Sequence, residues 1–168
     1  MLEKIIESGY EVQPIMSENV YNTNTRFGSA SELIEKVVGI CGKEVIHTIV
    51  QAEPLGPKIK LDALIISPCT GNTLAKMANG ITDTSVTMAA KAHLRSNRPL
   101  VLALASNDAL SANLKNVGTL LSRKSVYFVP LKQDEPVEKP HSLIADFDLL
   151  PETLASALQG KQYQRVFK

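Results

Sequence analysis

The sequence is poor in cysteine, in aromatic residues and in net charge. Of its 168 residues, 5% are aromatic, two are cysteines, and the formal net charge is +1. Cys41 and Cys69 have neither the spacing of metal ligands nor the number that a disulfide framework needs, so the sequence predicts neither kind of site. Lysine and arginine form no sustained cluster, which argues against a dedicated nucleic-acid or membrane-binding surface.

The sequence also lacks a signal-peptide pattern and any apolar run of about 18 residues, the length of a transmembrane helix. We therefore expect a soluble, cytoplasmic protein whose partners are small molecules or other proteins. The length suffices for one domain with a substantial core, and we expect a single domain over residues 1–168. A hydrophobic content of 44% with few aromatics suits aliphatic strands.

Helix and strand patterns alternate along the chain. Ser29 and Glu32 form a capping-box pattern, and Gly9 is placed to end a helix. The apolar runs at 61–67 and 99–105 are typical of parallel strands covered on both faces, which predicts an α/β fold. The predicted helices cover residues 1–8, 29–41, 71–79, 85–96, 109–121 and 151–159, and the predicted strands cover 10–16, 45–50, 61–67, 99–105 and 126–130. Residues 133–141, with prolines and mixed charge, are expected to form a surface loop or a partner-binding arm.

The most informative stretch is residues 68–83, which read PCTGNTLAKMANGITD. It follows an apolar strand and opens a helical pattern, so it lies at the carboxyl end of a parallel strand, where α/β proteins bind ligands. The first-turn amides of the helix favour an anionic or carbonyl-rich ligand. An ordinary strand-to-helix connection with a polar cap is the alternative.

This stretch resembles the signature Pro-x-Ser-Ala-Asn-x-x-Ala-Lys-x-Ala-x-Gly-x-x-Asp of a flavoprotein superfamily that includes flavin-dependent cysteine decarboxylases and flavin prenyltransferases. Thr70 and Gly71 stand where that family has Ser-Ala. The matched positions are Pro68, Asn72, Ala75, Lys76, Ala78, Gly80 and Asp83. The resemblance implies a three-layer, Rossmann-like or flavodoxin-like fold with a doubly wound parallel sheet.

Three further segments, residues 22–28, 52–58 and 105–110, resemble the family of dipicolinate synthase B subunits. That resemblance implies that the chain acts together with the nicotinamide-binding A subunit of dipicolinate synthase. The two subunits would oxidise dihydrodipicolinate to dipicolinate in the mother cell of a sporulating bacterium. NAD(P) would then be bound by the partner. The chain itself could hold FMN, shape the substrate site or only stabilise its partner, and homo-oligomers are expected by analogy.

The resemblance and the residue pattern together predict site residues. Ser106, Asn107 and Asp108 end the strand at 99–105, again at the ligand-binding edge of the sheet, although the family's usual Pro-Ala-Met-Asn is not reproduced there. The cofactor-binding candidates are Ser17, Pro68, Thr70, Gly71, Asn72, Ser106 and Asn107, and the candidates for a dicarboxylate substrate are Asn24 and Arg26. Asn72 could instead cap its helix, and residues 23–26 could be an ordinary polar loop. No residue is assigned a catalytic role. His47, His93 and His141 are expected to pack or face solvent, and Cys69 to be buried.

One feature of the flavoprotein pattern is missing from this sequence. In that family a strand and a Gly/Ser/Thr-rich phosphate loop precede the helix that residues 1–9 resemble, and no Gly-rich turn occurs before residue 28. We therefore expect that strand and loop to lie upstream of Met1. Alternatively, another strand or a neighbouring subunit fills their place.

Two other functions stay open on sequence grounds. A self-sufficient flavin-dependent decarboxylase or prenyltransferase is one, although Thr70-Gly71 and the lack of a well-placed histidine weaken it. A non-catalytic binding or stabilising subunit, which has kept the sheet and lost the cofactor, is the other.

Overall fold

The structure, a computed structural model, describes residues 1–25 and 28–167. Within these ranges the helices are α1 (Leu2–Glu7), α2 (Glu18–Asn22), α3 (Ala30–Cys41), α4 (Ile49–Ala52), α5 (Gly71–Ala78), α6 (Ser85–Leu94), α7 (Leu114–Leu121) and α8 (Leu150–Leu158). The strands are β1 (Leu64–Thr70), β2 (Leu100–Ser106), β3 (Val126–Phe128), β4 (Leu131–Gln133) and β5 (Leu143–Ala145). No helix in the described ranges is long and apolar enough to cross a membrane.

The sheet is organised around β2, whose residues 100–104 are wholly buried. β1 pairs with one edge of β2 in parallel, and β3 pairs in parallel with the first half of the other edge. β5 pairs antiparallel with the last two residues of that edge, and β4 pairs antiparallel with β5. The predicted α/β fold is therefore confirmed, but the sheet is mixed rather than wholly parallel. The β4–β5 hairpin was missed because each strand has only three residues.

Two of the predicted strands are not formed. Residues 10–16 and 45–50 share a single bridge, in which Met16 donates to the Ile46 carbonyl at 2.9 Å and Ile46 donates to the Pro14 carbonyl at 3.0 Å. The β-branched residues after His47 enter α4 instead, because Thr48 and Gln51 form a capping box there. A local cap outweighs β-propensity at this point.

β1 begins and ends three residues later than predicted. Cys69 and Thr70 continue the ladder opposite Leu104 and Ala105, after a register irregularity, so β1 runs through Pro68 rather than stopping before it. The Ser67–Pro68 peptide is cis. In the described residues β1 pairs only with β2, and Pro68 is exposed, as suits a residue that cannot donate to a ladder.

All six predicted helices are present. Ser29 and Glu32 form the expected capping box at α3, and Gly9 follows α1 with a φ of +88°. α7 begins five residues later than predicted, because residues 108–113 form a turn in which Ser111 and Asn113 donate backbone hydrogen bonds to the Asp108 carbonyl.

Gly56 fixes the packing of the loop after α4 against α6. Its φ is +96°, and a Cβ placed there would lie 2.8 Å from the carbonyl carbon of Ala92 and 3.1 Å from Cα of His93. The neighbouring His93 is fully buried and its Nε2 lies 2.9 Å from the Pro99 carbonyl oxygen. A side chain at residue 56 would thus separate α6 from the loop.

Gly56→Ala and Gly9→Ala form a matched pair, since both glycines have positive φ but nothing lies within 4 Å of a Cβ at Gly9. We expect Gly9→Ala to lower the free energy of unfolding by about 1 kcal/mol, from backbone conformation alone. Gly56→Ala should lower it by about 3 kcal/mol or more, because backbone atoms must also move. Urea unfolding measures both, and equal losses would contradict the packing role of Gly56.

Candidate functional site

The carboxyl ends of β1 and β2 lie side by side and hold most of the predicted site residues. Thr70 pairs in register with Ala105, which places Ser106 and the turn after it beside the start of α5. We call residues 70–72 and 106–108 the edge site. The Thr70 side chain caps α5 by accepting a hydrogen bond from the Thr73 amide at 3.3 Å.

Gly71 allows α5 to begin in contact with the turn after β2. A Cβ at this position would lie 2.8 Å from Nδ2 of Asn113 and 3.0 Å from Oδ1 of Asp108, and would also collide with the Ser106 hydroxyl. Gly71 therefore brings the first residue of α5 directly against polar side chains. This contact explains the glycine on physical grounds, since an alanine would displace those side chains.

Asp108 is the centre of a hydrogen-bond network. The Ser106 hydroxyl donates to Asp108 Oδ1 at 2.5 Å, and Asn113 Nδ2 lies 2.9 Å from both carboxylate oxygens. Asn116 Nδ2 donates in turn to Asn113 Oδ1 at 2.8 Å. The hydrogen bonds from Ser106 and then Asn113 hold the pKa of the Asp108 carboxyl below its usual range, so it is ionised at neutral pH.

The Asp108 carboxylate changes what the edge site can bind. Its Oδ1 lies beside Gly71, the first residue of α5, where the helix dipole favours a negative charge, although no hydrogen bond joins the carboxylate to an α5 amide in the described residues. A phosphate beside Gly71 would be repelled by this carboxylate. The sequence predicted either an anionic or a carbonyl-rich ligand at this position. The edge site therefore favours a ligand with carbonyl or hydroxyl groups over an anionic one.

Hydrogen-bonding groups remain available for such a ligand. Asn72 and Asn107 are exposed, and within the described ranges their side chains make no hydrogen bond. The first-turn amides of α5 have no intrahelical acceptors, and of these the Thr73 amide is already bound by the Thr70 side chain. Because Thr70 provides the side-chain cap of α5, the alternative role of Asn72 as the cap is wrong.

Ser17 and Asn24 lie outside the edge site. The Ser17 side chain caps α2, with its oxygen 3.4 Å from the Val20 amide, and Asn24 Oδ1 accepts from the Ala30 amide at 2.9 Å. In the described ranges no hydrogen bond joins either side chain to residues 70–72 or 106–108. Arg26 lies outside the described residues.

Hydrogen bonds join α2 and the residue before its cap to the start of α6. Ser85 donates from its hydroxyl to the Met16 carbonyl at 2.6 Å, and its amide donates to Glu18 Oε1 at 3.2 Å. The rings of Tyr21 and His47 stack with centroids 3.7 Å apart and an interplanar angle of 9°. His47 therefore packs on an aromatic ring rather than pointing into the edge site's hydrogen-bond network.

The remaining titratable candidates have structural surroundings. Cys69 is fully buried, and burial raises the pKa of its thiol to about 12, so it is not a thiolate at neutral pH. Burial lowers the pKa of His93, which stays neutral in the core. Lys76 pairs with Asp83 at 2.9 Å. The described residues contain no group of three or more His, Cys, Asp or Glu side chains placed to hold a metal ion.

Asn113 and Asn116 were not predicted from the sequence. Both are buried polar residues one helical turn apart, next to the buried Val117 and Leu120. Amide side chains at this spacing within an apolar helix face were the available signal, because buried amides need hydrogen-bond partners. The predicted start of the helix at residue 109 hid the turn that the two residues support.

Comparisons with known proteins extend over nearly the whole chain. The Flavoprotein family model matches residues 1–149. The B subunit of dipicolinate synthase from Bacillus subtilis is 47% identical over 165 residues, which are 98% of this chain and 82% of that protein. The crystal structure of the dipicolinate synthase B subunit from Bacillus halodurans is 44% identical and superposes with a TM-score of 0.91, covering 99% of this chain and 86% of that one.

A more distant structure shares the fold alone. The dodecameric FMN-dependent UbiX-like decarboxylase of Escherichia coli O157:H7 is 22% identical, with a TM-score of 0.59 over 98% of this chain and 88% of that chain.

Asn113→Ala tests the Asp108 network, with the exposed Asn107→Ala as its control. Loss of the hydrogen bonds to Asp108 and from Asn116 should lower the free energy of unfolding by about 1–3 kcal/mol, while Asn107→Ala should change it by less than about 0.5 kcal/mol.

Because the folded pKa of Asp108 lies below its ordinary 3.8, the contribution of its carboxylate to stability is complete above pH 3.8 and is lost as the pH falls through the folded value. The difference between wild type and Asn113→Ala should therefore shrink in acid. Equal urea midpoints for both variants at pH 7 would refute the network.

Proposed function

The chain belongs to the Flavoprotein family and, within it, to the dipicolinate synthase B subunits, and from this membership we propose that it acts with the nicotinamide-binding A subunit of that enzyme to oxidise dihydrodipicolinate to dipicolinate. The nearly full-length likeness to the Bacillus subtilis protein carries the proposal. We further propose that the chain forms one domain, that it forms homo-oligomers, and that it works in the cytoplasm of the mother cell during sporulation.

The proposed reaction removes two hydrogens from a cyclic dicarboxylate. One leaves as a hydride, which carries two electrons to an oxidised nicotinamide on the A subunit, and the other leaves as a proton to solvent. The ring becomes aromatic, and the nicotinamide is reduced. The chain's own share in this scheme is to position the ring for that transfer, with the substrate's carboxylates toward residues 24–26 and away from the ionised Asp108 carboxylate of the edge site.

FMN fits the edge site as a carbonyl-bearing ring system. The first-turn amides of Gly71 and Asn72 and the Asn72 side chain supply donors for ring carbonyls, and Asn107 is free to contact the ribityl hydroxyls. Pro68, Thr70 and Ser106 at the strand ends, together with Ser17 at the start of α2 outside the edge site, complete the set of residues proposed to hold it. When bound, the flavin would supply two-electron redox chemistry, while both electrons of the reaction proposed above go to the nicotinamide. The Asp108 carboxylate would keep the flavin phosphate away from Gly71.

The dicarboxylate substrate is proposed to lie toward residues 24–26. Its carboxylates would be repelled by Asp108, whereas the Asn24 side chain uses only its oxygen in the described structure and keeps its NH₂ group as a donor. Arg26 would add a guanidinium that pairs well with a carboxylate. This arrangement separates the substrate's charges from the carboxylate of the edge site.

Reconstitution tests the proposed function. The chain, the purified nicotinamide-binding A subunit, oxidised nicotinamide and dihydrodipicolinate should together form dipicolinate at least tenfold faster than the same mixture with either protein left out. An equal rate when this chain is left out would show that it only binds or stabilises. Flavin-dependent decarboxylation or prenyl transfer by this chain without its partner would favour the self-sufficient enzyme instead.

Asn72→Ala tests the flavin site, with Asn79→Ala as the control at the opposite end of α5, where Asn79 Nδ2 bonds the Ala75 carbonyl at 2.8 Å. Loss of one hydrogen bond to the flavin should weaken FMN binding about tenfold, equivalent to about 1.4 kcal/mol, while Asn79→Ala binds like wild type. Quenching of flavin fluorescence measures the affinities. Equal affinities for all three proteins would remove Asn72 from the site.

A further inference from the structure

A groove of about 390 Å³ lies on the side of the molecule opposite the edge site. It is formed by the last turn of α5, the second half of α6 and the turn after α7. Its apolar lining, which we call the floor, includes Met77, Leu94 and the half-exposed Ile81, and its cationic lining, which we call the rim, consists of Lys91, Arg95, Arg123 and Lys124. We call it the basic groove.

The rim charges are uncompensated. No carboxylate lines the basic groove, and in the described ranges none of its four cationic side chains forms an ion pair. All four are exposed. Like charges around one concave surface repel one another, and a negatively charged occupant would relieve this repulsion. The apolar floor adds a preference for an occupant that also carries a hydrophobic side chain.

The chain itself contains a segment of that character. The turn at residues 134–139, which we call the acidic arm, carries Asp134, Glu135 and Glu138 and connects β4 to β5. Val137 at its tip is 89% exposed, more than any other large hydrophobic side chain in the described residues. Lys139 pairs with Glu135 at 3.1 Å and with Asp134 at 3.5 Å, which holds the turn together and leaves Glu138 without an ion pair there.

The acidic arm cannot reach the basic groove of its own chain. β4 runs parallel to β2 and ends at Gln133, so the arm leaves the sheet at the carboxyl edge. The groove lies at the amino edge, beside the turns that lead into β2 and β3. The seven residues of β2 separate the two by about 20 Å. Contact between them requires two molecules.

We propose, resting on the homo-oligomer put forward above, that the acidic arm of one copy of this chain docks in the basic groove of a second copy. Val137 packs on the apolar floor, and Glu138 and Asp134 face the cationic rim. The arm leads into Leu143, which pairs with Ser106, so this interface lies next to the edge site of the copy that supplies the arm.

Complementary variants test this contact by sedimentation velocity at low salt. The arm variant carries Val137→Ser and Glu138→Lys, and the groove variant carries Arg123→Glu and Lys124→Glu. Wild type should associate, each variant alone should associate at least tenfold more weakly, and an equimolar mixture should regain association, because it contains one intact arm and one intact groove. Glu44→Lys and Lys115→Glu are controls at exposed charges that belong to neither feature and should associate like wild type.

Three results with the wild type and these variants would overturn the proposal. They are a monomeric wild type at the concentrations used, self-association of the arm or groove variant equal to that of wild type, and failure of the mixture to associate when both variants retain the wild-type circular dichroism spectrum. Tripolyphosphate serves as a further probe of the groove. It should dissociate the wild-type assembly by competing with the arm, and groove occupancy by tripolyphosphate without any change in association would show that the groove binds anions instead.

Discussion

The burial of β2 is the constraint on which the rest of the structure depends. Residues 100–104 are inaccessible to solvent, so the backbone of the strand must find its hydrogen bonds within the sheet. β1 supplies them on one edge, and β3 and then β5 share the other edge. This arrangement brings the ends of β1 and β2 together and places the edge site there.

The electrostatics of the edge site follow from one carboxylate. Asp108 is held ionised by Ser106 and Asn113, and Gly71 lets it approach the start of α5. A helix N-terminus beside a strand end is commonly an anion site, but here an ionised carboxylate of the protein lies next to it. What remains for a ligand is a set of neutral donors, which suits ring carbonyls and hydroxyls better than phosphate. The substrate's carboxylates are therefore proposed, rather than shown, to lie toward residues 24–26.

Sequence reasoning succeeded where the pattern is local and continuous. The aliphatic run of β2, the Ser29 capping box and the strand-to-helix junction at residues 70–72 were all predicted, as was the convergence of that junction with Ser106. The strands predicted at residues 10–16 and 45–50 were wrong, because a strand needs a ladder partner and residue patterns do not reveal one. The contacts of the Asp108 network could not be predicted, since they depend on how closely α5 approaches the turn before α7, although the spacing of Asn113 and Asn116 was a signal for buried amides.

The affinities of this chain for riboflavin and FMN, measured side by side by fluorescence titration, test the central claim that Asp108 makes the edge site a binder of neutral ring and hydroxyl groups. The account predicts that both flavins bind, with dissociation constants within about tenfold of each other, because the phosphate gains nothing beside Gly71. FMN binding more than about tenfold tighter than riboflavin, or no binding of either, would contradict it.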